Sequence, residues 1–242
     1  MNAEAVKRRY DATRRQAQSR QLRLEVATAA RDLFIEQGFA ATTIGDVAAA
    51  AGVSQQFIYA AFGGKRGLLG KVVDWTLVGD DEPIPMAQRP AITAIQQERT
   101  VAGKCALHAR HVRTLAPRVS ALIQMLRAAA DAEADARAIY DAGEQQRHVG
   151  ATLFVSNLRT AGELRGGLSE AQAADAIWAL TPDILWTALV TRRGWTADEF
   201  ELWYAGQVAA AVLEDRHIGA VRRFSRRLIA DSSDSPRRDP PG

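Results

Sequence analysis

The chain has 242 residues, 47% of them hydrophobic and 24% charged, with a formal net charge of +3. That length suits one large or two modest domains, and the composition is that of a soluble globular protein. An uninterrupted apolar run of about 18 residues, the signature of a transmembrane helix, is missing, and the basic stretch Lys7, Arg8, Arg9, Arg14, Arg15 and Arg20 is not followed by the apolar segment of a secretory signal. Cys105 has no second cysteine to pair with, which fits a reducing cytoplasm.

Charge is distributed unevenly along the chain. Up to Arg23, only Glu4 and Asp11 oppose the basic residues. Arginines crowd together again at Arg222, Arg223, Arg226, Arg227, Arg237 and Arg238. Basic termini around a near-neutral middle suit a polyanion partner, nucleic acid above all, although solvated disordered termini carry the same charge.

Abundant alanine, few β-branched runs and helical apolar spacing predict an all-α chain. Helices are predicted near residues 20–37, 44–51, 54–60, 65–78, 91–115, 118–129, 131–162, 169–193 and 196–215. Gly38 follows the apolar series Val26, Ala30, Leu33, Phe34 and suits a left-handed helix C-cap. The segment Gly79-Asp80-Asp81-Glu82-Pro83-Ile84-Pro85 cannot continue a helix and divides a small domain from a larger one. The expected organisation is a basic flexible arm over 1–19, a small helical domain over 20–70, a larger helical domain over 71–230, and a disordered tail over 231–242, rich in serine and proline.

The informative stretch runs from Thr42 to Tyr59. Thr43 can N-cap a short helix, with Asp46 as the reciprocal partner of a capping box. The helix ends at Gly52, where a tight turn needs a positive φ. Ser54 can then cap a second short helix. Ala48 suits a close helix crossing, and Val47, Ala51, Val53 and Ile58 suit the seam. Gln55, Gln56 and Tyr59 are left on the outer face. A helix opening Ser-Gln-Gln can enter a DNA major groove, where the glutamine amide pairs with adenine and a tyrosine hydroxyl reaches phosphate. A helical hairpin within some other all-α protein would use the same residue types, but it does not explain this order of cap, small residue, glycine turn and second cap.

Residues 20–70 resemble the DNA-binding domain of the TetR family of bacterial transcriptional regulators. The resemblance rests on Phe34, Gly38-Phe39, Thr42-Thr43-Ile44, Gly52-Val53-Ser54, Ile58-Tyr59-Ala60-Ala61-Phe62, Lys65 and Leu68-Leu69. It implies DNA contacts from Thr42, Thr43, Ser54, Gln55, Gln56, Phe57, Tyr59 and Lys65, with Thr43 and Lys65 on phosphate and Gln55, Gln56 and Phe57 facing bases. The basic arm, with Arg20 and Arg23, would add phosphate or minor-groove contacts. The chain departs from the family pattern in three ways. Arg66 stands where an acidic residue is usual, Gly63-Gly64 predicts a loose turn, and Ala60 and Ala61 leave base readout sparse.

In the larger domain, Ala173 to Pro182 with Leu185-Trp186, and Gly194-Trp195-Thr196 with Phe200, Trp203 and Tyr204, resemble the two helices that form the family's dimer interface. Trp178, Leu185, Leu189, Phe200, Trp203 and Gln207 are the corresponding interface candidates, although the same aromatics could fill a protomer core. By the same resemblance a small, mostly apolar effector would be lined by Trp75, His108, His111, Met125, Phe154 and Trp186, although plain core packing is the commoner use of each of these residues. No cofactor is expected. His108 and His111 share a helix face, but no acidic or cysteine partner completes a metal site. Phosphate-binding loops, nucleophile elbows and dinucleotide fingerprints are missing, which argues against an enzyme. The function implied is a cytoplasmic, homodimeric, ligand-responsive repressor on a palindromic DNA operator. An architectural or ligand-independent DNA-binding protein is the alternative.

Overall fold

The computed structural model describes residues 3–80, 82, 84–162 and 164–233. Among these there are helices and no strand: α1 (Ala3–Gln37), α2 (Ile44–Ala51), α3 (Gln55–Phe62), α4 (Lys65–Val78), α5 (Pro90–Gln97), α6 (Val101–Ala129), α7 (Ala134–Arg159), α8 (Glu170–Ala179), α9 (Pro182–Trp186), α10 (Ala197–Val212) and α11 (Asp215–Ser233). A 3₁₀ turn at Met86–Gln88 precedes α5, and a π-helical turn at Thr187–Thr191 follows α9. The helices form two compact units, one from residues 1–82 with 121–140, the other from 83–120 with 141–242.

The first unit is built on α1. Val26, Ala30 and Phe34 recur at four-residue spacing and are fully buried. They join Ile44, Val47 and Ala48 of α2, Ile58 of α3, and Leu68, Leu69 and Val72 of α4 in one core. Leu122 and Leu126 of α6 and Ala136 of α7 complete it. Phe34 and Phe39 pack with ring centroids 5.5 Å apart. The unit therefore extends past residue 70: α4 runs unbroken to Val78, and the segment Ala121–Tyr140 belongs to the same unit. The backbone of residues 3–19, predicted as a flexible arm, continues α1 instead.

In the second unit, Val101, Cys105, Ala109, Val112 and Ala116 of α6 pack with Phe154, Val155 and Leu158 of α7. Phe200, Tyr204, Val208 and Val212 of α10 share that core, and Val221 of α11 closes it. Several boundaries differ from the sequence reading, each for a local reason. The predicted helix 91–115 breaks at Glu98, whose ψ of 137° is extended, and Thr100 restarts it by accepting the Gly103 N–H on its hydroxyl. Pro117 does not end α6, because buried Val112 and Ala116 before it hold the helix to the second unit's core and buried Leu122 beyond it to the first unit's. The predicted helix 169–193 is interrupted at Leu180–Thr181, ahead of Pro182 at the start of α9.

The apolar stretch Glu170–Thr191 has the length and mean hydropathy, 1.2, of a membrane span. It is divided by that break, and Ala173, Ala174, Ile177 and Trp186 are buried in the core of the unit. Helix α11 was not predicted at all. It is strongly amphipathic, with Ile218, Val221 and Ser225 inward and arginines outward, and it packs along α10. It runs to Ser233, so the predicted tail 231–242 is helical at its start, and 234–242 lie outside the described residues.

Two buried ionic groups hold the second unit together. Lys104 is 1% exposed, and its ammonium donates to Ile95 O at 3.0 Å, Gln96 O at 3.1 Å and Asn157 Oδ1 at 2.7 Å. All three of its protons are thus used in tying the end of α5 to α7. Glu201 is fully buried on α10 and faces Arg110 at 3.3 Å and Arg113 at 3.4 Å. Burial raises its pKa against the pull of these two guanidiniums. Lys104→Met keeps the aliphatic stem but leaves three acceptors without a donor, and should cost about 2 kcal/mol. A urea titration reads this as a lower midpoint at unchanged slope.

Candidate nucleic-acid interface

The first unit presents two short helices joined by a tight turn. Thr43 caps α2 in a closed capping box. Its hydroxyl accepts from Asp46 N at 3.1 Å, while Asp46 Oδ2 accepts from Thr43 N at 2.8 Å and from the Thr43 hydroxyl at 2.7 Å. These bonds hold the Asp46 carboxyl below its usual pKa, so it stays ionised at the N-terminus of α2. The turn is made at Gly52, in the left-handed region at φ 66°, and its N–H reaches back to Ala48 and Ala49 carbonyls. Ser54 caps α3 by accepting from Phe57 N at 3.1 Å. Ala48 is buried at the crossing, as its small size allows.

Helix α3 is anchored by one side and open on the other. Ile58 is fully buried, whereas Gln55 and Gln56 are exposed and Tyr59 is 56% exposed. The Gln55 amide lies against Gly45 of α2, with Nε2 3.3 Å from where a Cβ would stand. Phe57, expected to face bases, instead packs half-buried against the unit's core.

The end of α3 is tighter than its two glycines suggested. Gly63 and Gly64 both have positive φ, 75° and 112°, and Gly64 is buried beneath the Tyr59 ring. The loose turn predicted there is a close-packed one. Just beyond it, a Cβ on Gly67 would stand 1.9 Å from the Phe62 carbonyl oxygen. Gly67 therefore permits the approach of α4 to α3. Sequence reasoning missed it, although a glycine inside an otherwise regular helical pattern was the available signal.

Other predicted DNA contacts fall differently. Thr42 is buried, and its hydroxyl donates to Gly38 O at 2.9 Å and Leu33 O at 3.3 Å. It closes the C-terminus of α1, so its side chain does not reach the surface. The Thr43 hydroxyl proton is already donated to Asp46, so the hydroxyl expected to meet phosphate is engaged within its own capping box. The Lys65 ammonium sits 4.2 Å over the Phe39 ring and donates to Ala40 O at 3.2 Å. Partial burial lowers its pKa. Arg66, where an acidic residue was the family norm, pairs with Asp135 of α7 at 3.6 Å. Arg20 is exposed, and Arg23 is half-buried and donates to the Ser19 hydroxyl at 2.9 Å.

The predicted effector-lining residues divide between the units. Trp75 meets the edge of Phe62 at 6.3 Å, and Met125 packs on the first unit's core. In the second unit His108 stacks on Phe154 at 4.2 Å and lies 6.2 Å from Tyr204, while Trp186 meets the edge of Phe200 at 5.0 Å. Burial, and then the charge of His111, push the His108 pKa down to about 3. His111 is lowered by burial and by Arg118. Burial pushes the Cys105 thiol up to about 12, which makes it unreactive.

His108 gives the fold a pH dependence. The unfolded chain takes up a proton near pH 6.5, the folded chain only near 3, so stability falls as pH drops between those values. The slope is about 1.4 kcal/mol per pH unit for one proton. His108→Gln should lose less stability than the parent between pH 6.5 and 4, measured by parallel denaturation curves. Equal losses in the two proteins would show that His108 is not the group responsible.

The dimer candidates also separate. Phe200 is fully buried inside the protomer and cannot meet a second copy. Trp178, Leu185, Leu189, Trp203 and Gln207 are half-buried, and Ile184 beside them in sequence is 49% exposed. Trp178 also carries the Arg147 guanidinium 5.0 Å over its ring, and Arg147 donates to its carbonyl.

Comparison with known proteins agrees with this geometry. No curated protein matches the chain. Among solved structures, SmeT, the repressor of the Stenotrophomonas maltophilia multidrug efflux pump SmeDEF, is similar at 19% identity and a TM-score of 0.60, over 81% of this chain and 92% of that one. A TetR-family regulator from Rhodococcus sp. is similar at 17% identity and 0.60, over 78% and 97%. TylP of Streptomyces fradiae, a TetR regulator, is similar at 17% identity and 0.54, over 92% and 100%. These likenesses establish a shared fold. The profile of the bacterial regulatory proteins of the tetR family matches residues 27–72, the span that holds α2, α3 and the turn between them. Over that span, with Thr43 and Ser54 capping two helices about Gly52, the segment is similar to the bacterial regulatory proteins of the tetR family.

Proposed function

We propose that the protein is a ligand-responsive transcriptional repressor that binds a palindromic operator as a homodimer. The observation that carries this reading is the exposed face of α3. Ser54, Gln55, Gln56 and Tyr59 stand on a helix capped at both ends and anchored by a fully buried Ile58. Such a helix presents base-reading amides without paying to order them. One short head reads few base pairs, so two heads about one DNA turn apart are the economical way to reach specificity. Trp178, Leu185, Leu189, Trp203 and Gln207, with exposed Ile184, supply a partly open apolar surface of the kind such pairing needs.

The effector would be small and mostly apolar, held among His108, Phe154 and Trp186 in the second unit. An imidazole kept neutral by burial favours uncharged ligands there. SmeT has been solved with triclosan, and a regulator from Saccharomonospora viridis with choline. An effector that binds one arrangement of the helices more tightly than the other would shift the operator-competent population. The test is selection from random DNA by the purified protein, which should enrich a palindrome of about 15–30 base pairs. Enrichment of no motif would favour a ligand-independent architectural role. Repeating the selection with apolar metabolites then shows which of them release the complex.

A further inference from the structure

Several arginines of the second unit are matched to carboxylates. Arg110 and Arg113 meet Glu201, Arg147 meets Glu144 at 2.6 Å, and Arg159 meets Glu170 at 2.7 Å. Arg99, Arg223 and Arg227 have no carboxylate within salt-bridge distance among the described residues. These three converge on one groove of about 560 Å³ between the start of α6 and α11, together with His217, Phe224 and Val101. His217, Arg223, Phe224 and Arg227 follow helical spacing and form one stripe of α11. The Arg227 guanidinium lies 5.8 Å from the Phe224 ring centroid. Glu98, the acidic residue just before α6, accepts from Thr100 N and the Thr100 hydroxyl at 2.8 Å each and interacts with Lys104, so it does not neutralise the stripe.

We propose that this groove binds a small organic phosphate, with the phosphate held by Arg99, Arg223 and Arg227 and an apolar body laid on Phe224 and Val101. Three guanidiniums are more charge than one carboxylate would offset, and their planar forks match phosphate oxygens. The volume is that of a small-molecule site, and a concave floor containing Phe224 and Val101 gives an apolar ligand surface to cover. A duplex, in contrast, needs an open basic face that tracks successive phosphates along a strand. The groove is distinct from the aromatic region around His108, which lies about two helical turns further along α6, and it does not depend on the regulatory reading.

The test is calorimetric titration of the full chain, at low ionic strength and in phosphate-free buffer, with phenyl phosphate, inorganic phosphate and benzoate. Phenyl phosphate should bind saturably and tighter than either of the others. The Arg223→Gln, Arg227→Gln double variant should lose about tenfold or more of that affinity, as should Arg99→Gln on the opposite wall. Phe224→Ala should weaken phenyl phosphate and leave inorganic phosphate nearly unchanged. Helical circular dichroism of each variant checks that α11 still folds. Lack of saturable phenyl phosphate binding at millimolar concentration would overturn the proposal, as would equal affinity in the arginine variants. So would a random-sequence duplex that binds in an Arg223- and Arg227-dependent way while phenyl phosphate does not.

Discussion

Gly67→Ala is expected to unfold or displace the recognition helix and to abolish specific DNA binding. The added methyl would meet the Phe62 carbonyl oxygen at 1.9 Å. The atom it meets is backbone, at the last residue of α3, so no rotamer change relieves the clash. Either α4 moves away from α3 or the left-handed pair Gly63–Gly64 re-forms, and Leu68 and Leu69, fully buried next door, oppose both. Overpacking of this kind costs about 1–3 kcal/mol, and a backbone obstacle puts it at the upper end. Alanine has the higher helix propensity, so a surface glycine would gain up to about 1 kcal/mol from the same change. The sign of the measured effect therefore separates the two situations. Thermal melting and operator binding should both fall, and a variant as stable as the parent would mean that α3 and α4 are not so closely packed.

The paired change Gln55→Ala, Gln56→Ala should have the largest effect on DNA binding at nearly constant stability. Both side chains are exposed, so little packing is lost on truncation. Each bidentate amide–base contact is worth about 1–3 kcal/mol of discrimination, so the pair should lower specific affinity by about thirtyfold or more per head. Non-specific affinity and its salt dependence should stay close to the parent's, because phosphate contacts come from elsewhere. Gel-shift titrations at several salt concentrations, with selected and scrambled duplexes, distinguish these outcomes. A uniform loss on both duplexes would place Gln55 and Gln56 on phosphate. Gly45→Ala offers a milder companion, since its methyl would press on the Gln55 amide and re-aim it without removing it.

Local chemistry made the helix–turn–helix legible. Thr43, Asp46, Gly52 and Ser54 act within a few residues of themselves, through caps and a positive φ whose requirements depend on chain geometry alone. The all-α character was legible for the same reason, because helical apolar spacing is written along each segment. The ends of long helices were less so. Pro117 should stop a helix by local rules, yet burial on both sides carries α6 through it. Glu98 should not stop one, yet its side chain folds over Gly103 and a new helix begins.

What tertiary structure decided was which polar groups face inward. Thr42 and Thr43 are adjacent and chemically identical, but one closes α1 from a buried position and the other caps α2 at the surface. Phe200 and Trp203 are three residues apart on α10, and packing of the unit's core sends the first wholly inside. Lys65, Lys104 and Glu201 look like surface charges in the sequence. Their partners, Ala40, Asn157 and Arg110, lie 25 to 91 residues away. Such pairings cost desolvation and recover it only when the fold brings the second group within reach, so no reading of neighbours along the chain can find them. Local chain chemistry specifies a capped helix–turn–helix and its outward glutamines, whereas long-range packing settles which of the residues around it stay exposed.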